Sequence, residues 1–151
     1  MTRHDEEPVG LAALDRVTWA LRRAEVAVQT LKEQRLRPLG LAAAHYALLM
    51  SVHAEPGLTG AELARRLNVT PQAIASLVAR LESRGQLERR EHPRHRHVQE
   101  LHLTDAGREV LHAADRVIAD IERQITGTLG PDDTAQLRGL LNRVAETVRD
   151  T

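Results

Sequence analysis

The sequence predicts a mainly α-helical chain in which a helix-turn-helix runs into a two-stranded β hairpin, with long helices on either side. Three observations predict it. Apolar residues recur at alternating spacings of three and four near both ends of the chain. In the middle, two short helices, each with its own start signals, are separated by about three residues. After Gly85 the apolar period changes from that of a helix to that of a strand, and it changes back at Thr104.

The first helix is expected from about Val9 to Arg35, with Leu14, Val17, Leu21, Ala24, Val28 and Leu31 as its apolar seam. Pro38-Leu39-Gly40 breaks the chain, and a second helix follows from about Ala42 to Ala54, ended by Pro56-Gly57. Thr59 caps a third, short helix, with Glu62 completing a capping box and Leu58 and Leu63 spaced as a hydrophobic staple. It ends near Leu67, and Asn68-Val69 make the turn. Thr70 caps the fourth helix, with Pro71 at its first position, an apolar stripe of Ile74, Leu77, Val78 and Leu81, and Gly85 as its C-terminal stop. Leu87 opens one strand and Val98, Leu101 and Leu103 form another, with the polar loop from Glu91 to His97 between them. Thr104 caps a long helix to about Thr126, Gly127 to Gly130 break it, and Pro131-Asp132-Asp133 start the last helix, whose apolar face is Leu137, Leu140, Leu141, Val144 and Val148. No repeat, low-complexity tract or long linker divides the 151 residues, which are expected to form a single domain over 1–151.

Composition narrows the function classes. Aromatics amount to Trp19 and Tyr46 with no Phe, so aliphatic side chains must fill the core. The absence of cysteine excludes disulfides, thiolate zinc sites and thiol redox sensing. The polar opening Met1–Glu7 lacks the apolar stretch of a signal peptide, and no run approaches a bilayer span. A cytoplasmic protein without membrane contact is expected. No nucleophile elbow, phosphate loop or metalloprotease helix is present, so no enzyme and no cofactor are expected. Net charge is zero but unevenly spread: Thr59 to His97 hold eight arginines against four glutamates, an excess of four positive charges that the rest of the chain cancels.

The fourth helix carries the most specific signal. Opposite its apolar stripe lie Gln72, Ala75, Ser76, Ala79 and Ser83, small or neutral side chains where a merely solvated face would carry charge. Small side chains let a helix sit deep in the major groove of duplex DNA. Gln72 can pair with adenine, Ala75 can meet a thymine methyl, and Ser76 can bond a base edge. Arg80 and Arg84 flank that face where phosphates would lie. Arg94 and Arg96 on the hairpin tip suit the narrow minor groove.

Leu58-Thr59-Gly60-Ala61-Glu62-Leu63-Ala64, Val69-Thr70-Pro71, Leu77 to Gly85 and Leu101-His102-Leu103-Thr104-Asp105-Ala106-Gly107, in that order and spacing, resemble the MarR family of transcription regulators. The resemblance covers essentially the whole chain. It implies a winged helix-turn-helix lobe over about 42–103 and dimerisation helices over about 9–35 and 105–149. It also implies a homodimer on a palindromic operator in double-stranded DNA, often as a repressor released by a small molecule. The DNA-contacting residues it implies are Thr70, Pro71, Gln72, Ala75, Ser76, Arg80, Arg84, Arg94, Arg96 and His97. Two departures accompany it. The family wing usually has an acidic residue and, two later, an arginine, where this chain has His95 and His97; which of Arg94, Arg96 and His97 enters the minor groove stays open. The family often has Thr and Arg where this chain has Ala75 and Ser76, so its base preference should differ.

Other readings attach to particular residues. Trp19, His45, Tyr46, Met50, His53 and His112 are candidates for an effector pocket between dimer helices and DNA-binding lobe, where the family often binds ligand; otherwise they are core and interface residues. His92, His95 and His97 have a spacing that can reach one metal ion, although two arginines and a proline in the loop oppose it. A winged helix can also serve protein–protein contact alone.

Overall fold

The computed structural model describes residues 8–149, so the polar opening Met1–Glu7 lies outside the described residues. The order is a short 3-10 turn Leu11–Asp15, α1 Val17–Leu36, a second 3-10 turn Arg37–Leu39, α2 Ala43–Ala54, α3 Gly60–Leu67, α4 Pro71–Ser83, β1 Leu87–Glu91, β2 Gln99–Leu103, α5 Asp105–Leu129 and α6 Pro131–Arg149. The strands form one antiparallel pair, with Leu87 opposite Leu103 and Arg89 opposite Leu101. The sequence-predicted architecture, mainly helical with a two-stranded wing, is the one observed. No helix among the described residues is long and apolar enough to cross a membrane.

Two clusters of buried side chains organise the chain. The larger joins Leu48, Leu49 and Val52 of α2 to Leu63 of α3, Ile74, Val78 and Leu81 of α4, Leu87, Leu101 and Leu103 of the strands and Leu111 of α5. It therefore holds the helix-turn-helix and the wing as one body. The smaller joins Leu36, Leu41, Ala43 and Ala114 where α1, α2 and α5 meet. Leu58 and Leu63, the staple pair, are both buried in the larger cluster. Thr59 accepts the Glu62 N–H at 3.2 Å as a cap should, but the return bond runs from its hydroxyl to the Glu62 carboxylate at 3.1 Å.

The local order departs from the sequence expectation in three places. The first helix begins at Val17 rather than near Val9, because Arg16 is extended (φ −65°, ψ 149°). Val9 and Leu11, ahead of the seam, are 91% and 85% exposed, and helical spacing without burial does not sustain a helix there. The long helix α5 runs through Gly127 to Leu129, and only Gly130, with φ +80°, ends it. One interior glycine costs a helix only ~1 kcal/mol, too little to break it. Val98 belongs to the hairpin loop rather than to β2: its N–H donates to the His95 carbonyl at 2.8 Å and its carbonyl accepts the His92 N–H at 2.9 Å.

Candidate nucleic-acid interface

The turn between α3 and α4 is set by Asn68, whose left-handed backbone (φ 53°) ends α3, and by Val69, whose N–H donates to the Ala64 carbonyl at 3.1 Å. Thr70 then accepts the Ala73 N–H at 3.1 Å and Pro71 takes the first helical position, where its missing N–H costs nothing. Ile74, Val78 and Leu81 are buried and Leu77 is half-buried, which turns the opposite face of α4 outward. Thr70, Pro71, Gln72, Ala75, Ser76, Ala79, Arg80, Ser83 and Arg84 are all exposed. The exposed face thus begins with an amide and small side chains and carries its charge at the last turn.

The wing is braced against that helix. Arg89 of β1 donates through Nε to Glu82 of α4 at 2.8 Å and through Nη1 to Gln99 of β2 at 3.3 Å. At the tip, His92 Nδ1 accepts the Arg94 and His95 N–H groups at 3.1 and 3.2 Å, which folds the turn and leaves Arg94, Arg96 and His97 exposed. Imidazole rings stand 5.1 Å apart for His92 and His95, stacked, and 6.1 Å for His95 and His97, tilted. Stacked rings do not aim their nitrogens at one point, and among the described residues no group of three or more ligating side chains is placed to hold a metal.

The two arginines expected to flank the reading face separate. Arg80 is exposed on the last full turn of α4, whereas Arg84 donates through Nη1 to the Gly40 carbonyl at 2.9 Å, in the connection between α1 and α2. Below it lies His45, 4% exposed, whose Nδ1 accepts the Ala42 N–H at 2.9 Å. Burial, then Arg84 and Arg80, hold this imidazole below its ordinary pKa against the opposing pull of Glu33. Glu33 of α1 in turn accepts the Ala43 N–H at 3.0 Å.

The six residues considered for an effector pocket have different surroundings within the protomer. Trp19 is half-exposed on α1 and His112 exposed on α5. His45 caps α2, and Met50 packs against the larger core cluster. Tyr46 donates its hydroxyl to Asp115 at 2.9 Å, and burial together with that carboxylate pushes its phenol up to about 12. His53 borders a polar recess of about 150 Å³ with Arg90, His102 and Arg108. A larger apolar hollow of about 950 Å³ lies between α1, α5 and α6, lined by Val17, Leu21, Ala24, Val28, Leu137 and Leu141 among others.

Sequence reasoning missed the Arg89–Glu82 brace and the Glu33 cap. The first joins residues across a helix-to-strand turn and leaves no periodic trace. The second had a signal: Ala42 at the start of α2 has no polar side chain, so another group must satisfy the first amides.

Residues 39–96 match the MarR family. The chain is 28% identical over 109 residues to the HTH-type transcriptional repressor Rv2887 of Mycobacterium tuberculosis, covering 72% of this chain and 78% of that protein. It superposes with a TM-score of 0.82 on the transcriptional repressor CouR bound to a 23-mer DNA duplex, at 28% identity over 93% of this chain and 99% of that one. With CouR bound to p-coumaroyl-CoA the TM-score is 0.77, also at 28% identity, over 92% of this chain and 98% of that one. These relatives are transcriptional regulators, not enzymes. By the match over 39–96 and the fold shared across nine-tenths of its length, this chain is similar to the MarR-type winged-helix regulators.

Proposed function

We propose that the chain is a sequence-specific DNA-binding regulator, a ligand-responsive repressor that grips a palindromic operator as a cytoplasmic homodimer. One observation carries the reading: the exposed face of α4 is free of charge from Gln72 to Ala79 and is braced beside a wing tip that exposes Arg94 and Arg96. A solvated helix would show Lys or Glu there; a helix that enters the major groove needs small and amide side chains. In this reading Thr70, Pro71, Gln72, Ala75 and Ser76 face base edges, Arg80 contacts phosphate, and Arg94, Arg96 or His97 enters the minor groove. CouR on its DNA duplex supports the reading.

Pairing follows from apolar exposure. Leu14 of the first 3-10 turn, Val17 of α1, and Leu137, Leu140, Leu141 and Val148 of α6 are between 41% and 68% exposed. A second copy related by a two-fold axis covers them and sets two reading helices on one face. The single domain 1–151 then divides into a DNA-binding lobe over about 42–103 and pairing helices over about 9–35 and 105–149. A small-molecule effector acts between these regions, near Trp19 and Tyr46; CouR with p-coumaroyl-CoA supports such regulation.

The test is a mobility-shift series with the DNA flanking the encoding gene. The expected result is a discrete complex at protein concentrations where a random duplex of equal length stays free. Equal binding to both duplexes refutes sequence-specific recognition.

A further inference from the structure

We propose that Arg84 is a positioning residue rather than a DNA contact: its guanidinium ties the C-terminal end of α4 to the α1–α2 junction at Gly40 and so fixes how the reading helix is presented relative to the terminal helices. The inference rests on the reading of α4 as the DNA-reading element.

The tie joins residues 44 apart in sequence, between an element of the larger buried cluster and one of the smaller. On the α4 side, Arg84 follows Leu81, which is fully buried in the larger cluster, so the last turn of the helix cannot swing independently. On the other side, Gly40 is held in a left-handed conformation (φ +70°), with its N–H on the Arg37 carbonyl at 2.9 Å. The next residue, Leu41, is buried with Leu36, Ala43 and Ala114 in the smaller cluster. The Gly40 carbonyl is therefore fixed to α1, α2 and α5. A hydrogen bond from a guanidinium to such a carbonyl constrains direction as well as distance.

Other bonds meet at the same junction. α1 sends Glu33 to the Ala43 N–H, α2 sends His45 to the Ala42 N–H, and the positive charges of Arg84 and Arg80 at the end of α4 oppose protonation of that imidazole. A neutral ring fits this place, because its Nδ1 must stay unprotonated to accept and a second cation would oppose both arginines. While the tie holds, the Nη1 donor of Arg84 and the direction of its guanidinium are committed to Gly40. Both arginines are exposed, but Arg84 is bonded to the Gly40 carbonyl, so the phosphate role falls to Arg80, one turn earlier. A change in the packing of α1 against its partner then reaches the reading helix through Gly40 and Arg84.

Two measurements test this. The first needs no DNA: the His45 imidazole is titrated by NMR in the native dimer, in Arg84→Ala and in Arg84→Lys. If Arg84 sits at the junction, Arg84→Ala raises the midpoint by removing a repelling cation, and Arg84→Lys moves it less. An unmoved midpoint in Arg84→Ala overturns the tie. The second uses duplexes whose half-site spacing is the preferred one or is shortened or lengthened by one base pair. Arg84→Ala should bind the preferred spacing about tenfold more weakly, within the usual range of coupling effects. It should discriminate less among spacings and keep the native dependence on salt, whereas Arg80→Ala should flatten that dependence by about one unit. If Arg84→Ala instead weakens every spacing alike and flattens the salt dependence by one unit, Arg84 is a phosphate ligand and the proposal is wrong. If the native protein fails to prefer an operator over random DNA, the reading of α4 fails, while the titration still decides whether Arg84 is tied to the junction.

Discussion

Gly107→Ala tests the packing that roots the wing, because helix propensity and the structure predict opposite signs. Gly107 lies in the first turn of α5, where replacing glycine by alanine ordinarily stabilises a helix by ~1 kcal/mol. Here a Cβ would stand 2.0 Å from the Gln86 carbonyl oxygen and 3.0 Å from its carbon. Ordinary contact begins at 3.4 Å, so the segments must part by 3.4 − 2.0 = 1.4 Å. The Gln86 carbonyl is not free to yield. It accepts the Thr104 N–H at 3.2 Å, while the neighbouring Gly85 carbonyl accepts the Thr104 hydroxyl at 2.6 Å. Separation would disturb Thr104, which also caps α5 through the Gly107 N–H at 3.0 Å. Overpacking costs ~1–3 kcal/mol and loss of an N-cap ~1 kcal/mol, and the propensity gain offsets ~1 kcal/mol, so a net destabilisation of ~1–3 kcal/mol is expected. The assay is urea denaturation at fixed dimer concentration, read as a fall in midpoint with unchanged slope. Gly127→Ala in the same helix, where a Cβ meets nothing within 4 Å, is the control and should be neutral or stabilising. A Gly107→Ala protein as stable as the native one would refute the close approach of α5 to the wing root.

Three further outcomes are expected. Leu21→Asp or Leu141→Asp, placed in the apolar hollow of α1 and α6, should yield monomer or aggregate in sedimentation; a native chain that is itself a clean monomer at micromolar concentration contradicts the pairing. Arg94→Ala and Arg96→Ala should each weaken DNA binding and flatten its salt dependence by about one unit per lost phosphate contact, and unchanged slopes for both would remove the wing tip from the interface. His45 should make folding acid-sensitive. Its folded pKa lies below the ordinary 6.5, so the unfolded chain takes up the proton first and stability falls as pH drops below that value. His45→Gln should flatten this fall, measured as denaturation midpoint against pH, and an identical pH dependence in the variant would contradict the buried neutral ring.

Much of the fold was legible because its signals are local. Thr59, Thr70 and Thr104 each accept the amide three residues on, as their capping positions require. The stripe of Ile74, Val78 and Leu81 points α4 inward by period alone. The exposed face of α4 followed from the same count. The failures were places where packing decides. The stretch from Val9 to Arg16 is expected to be helical but contains no buried residue within the protomer, and Gly127 resembles a breaker but sits inside α5. Arg84 shows the limit at the site itself. Sequence places it beside Arg80 on one helix, and only the return of Gly40 from 44 residues earlier shows that its donor is engaged. The effector candidates are named by their chemistry, and within one protomer they fall in core, cap and surface positions.

The most direct test of DNA reading by α4 is competition binding over single-base operator variants with native protein and Gln72→Ala. Gln72 is exposed on the first turn of α4, where helix-turn-helix proteins touch base edges. Gln72→Ala should cost about 1–3 kcal/mol on the preferred operator and much less on random DNA. It should relax discrimination at an adenine in each of two half-sites about one helical turn apart. Equal losses on operator and random DNA, with discrimination intact at every position, would contradict the account.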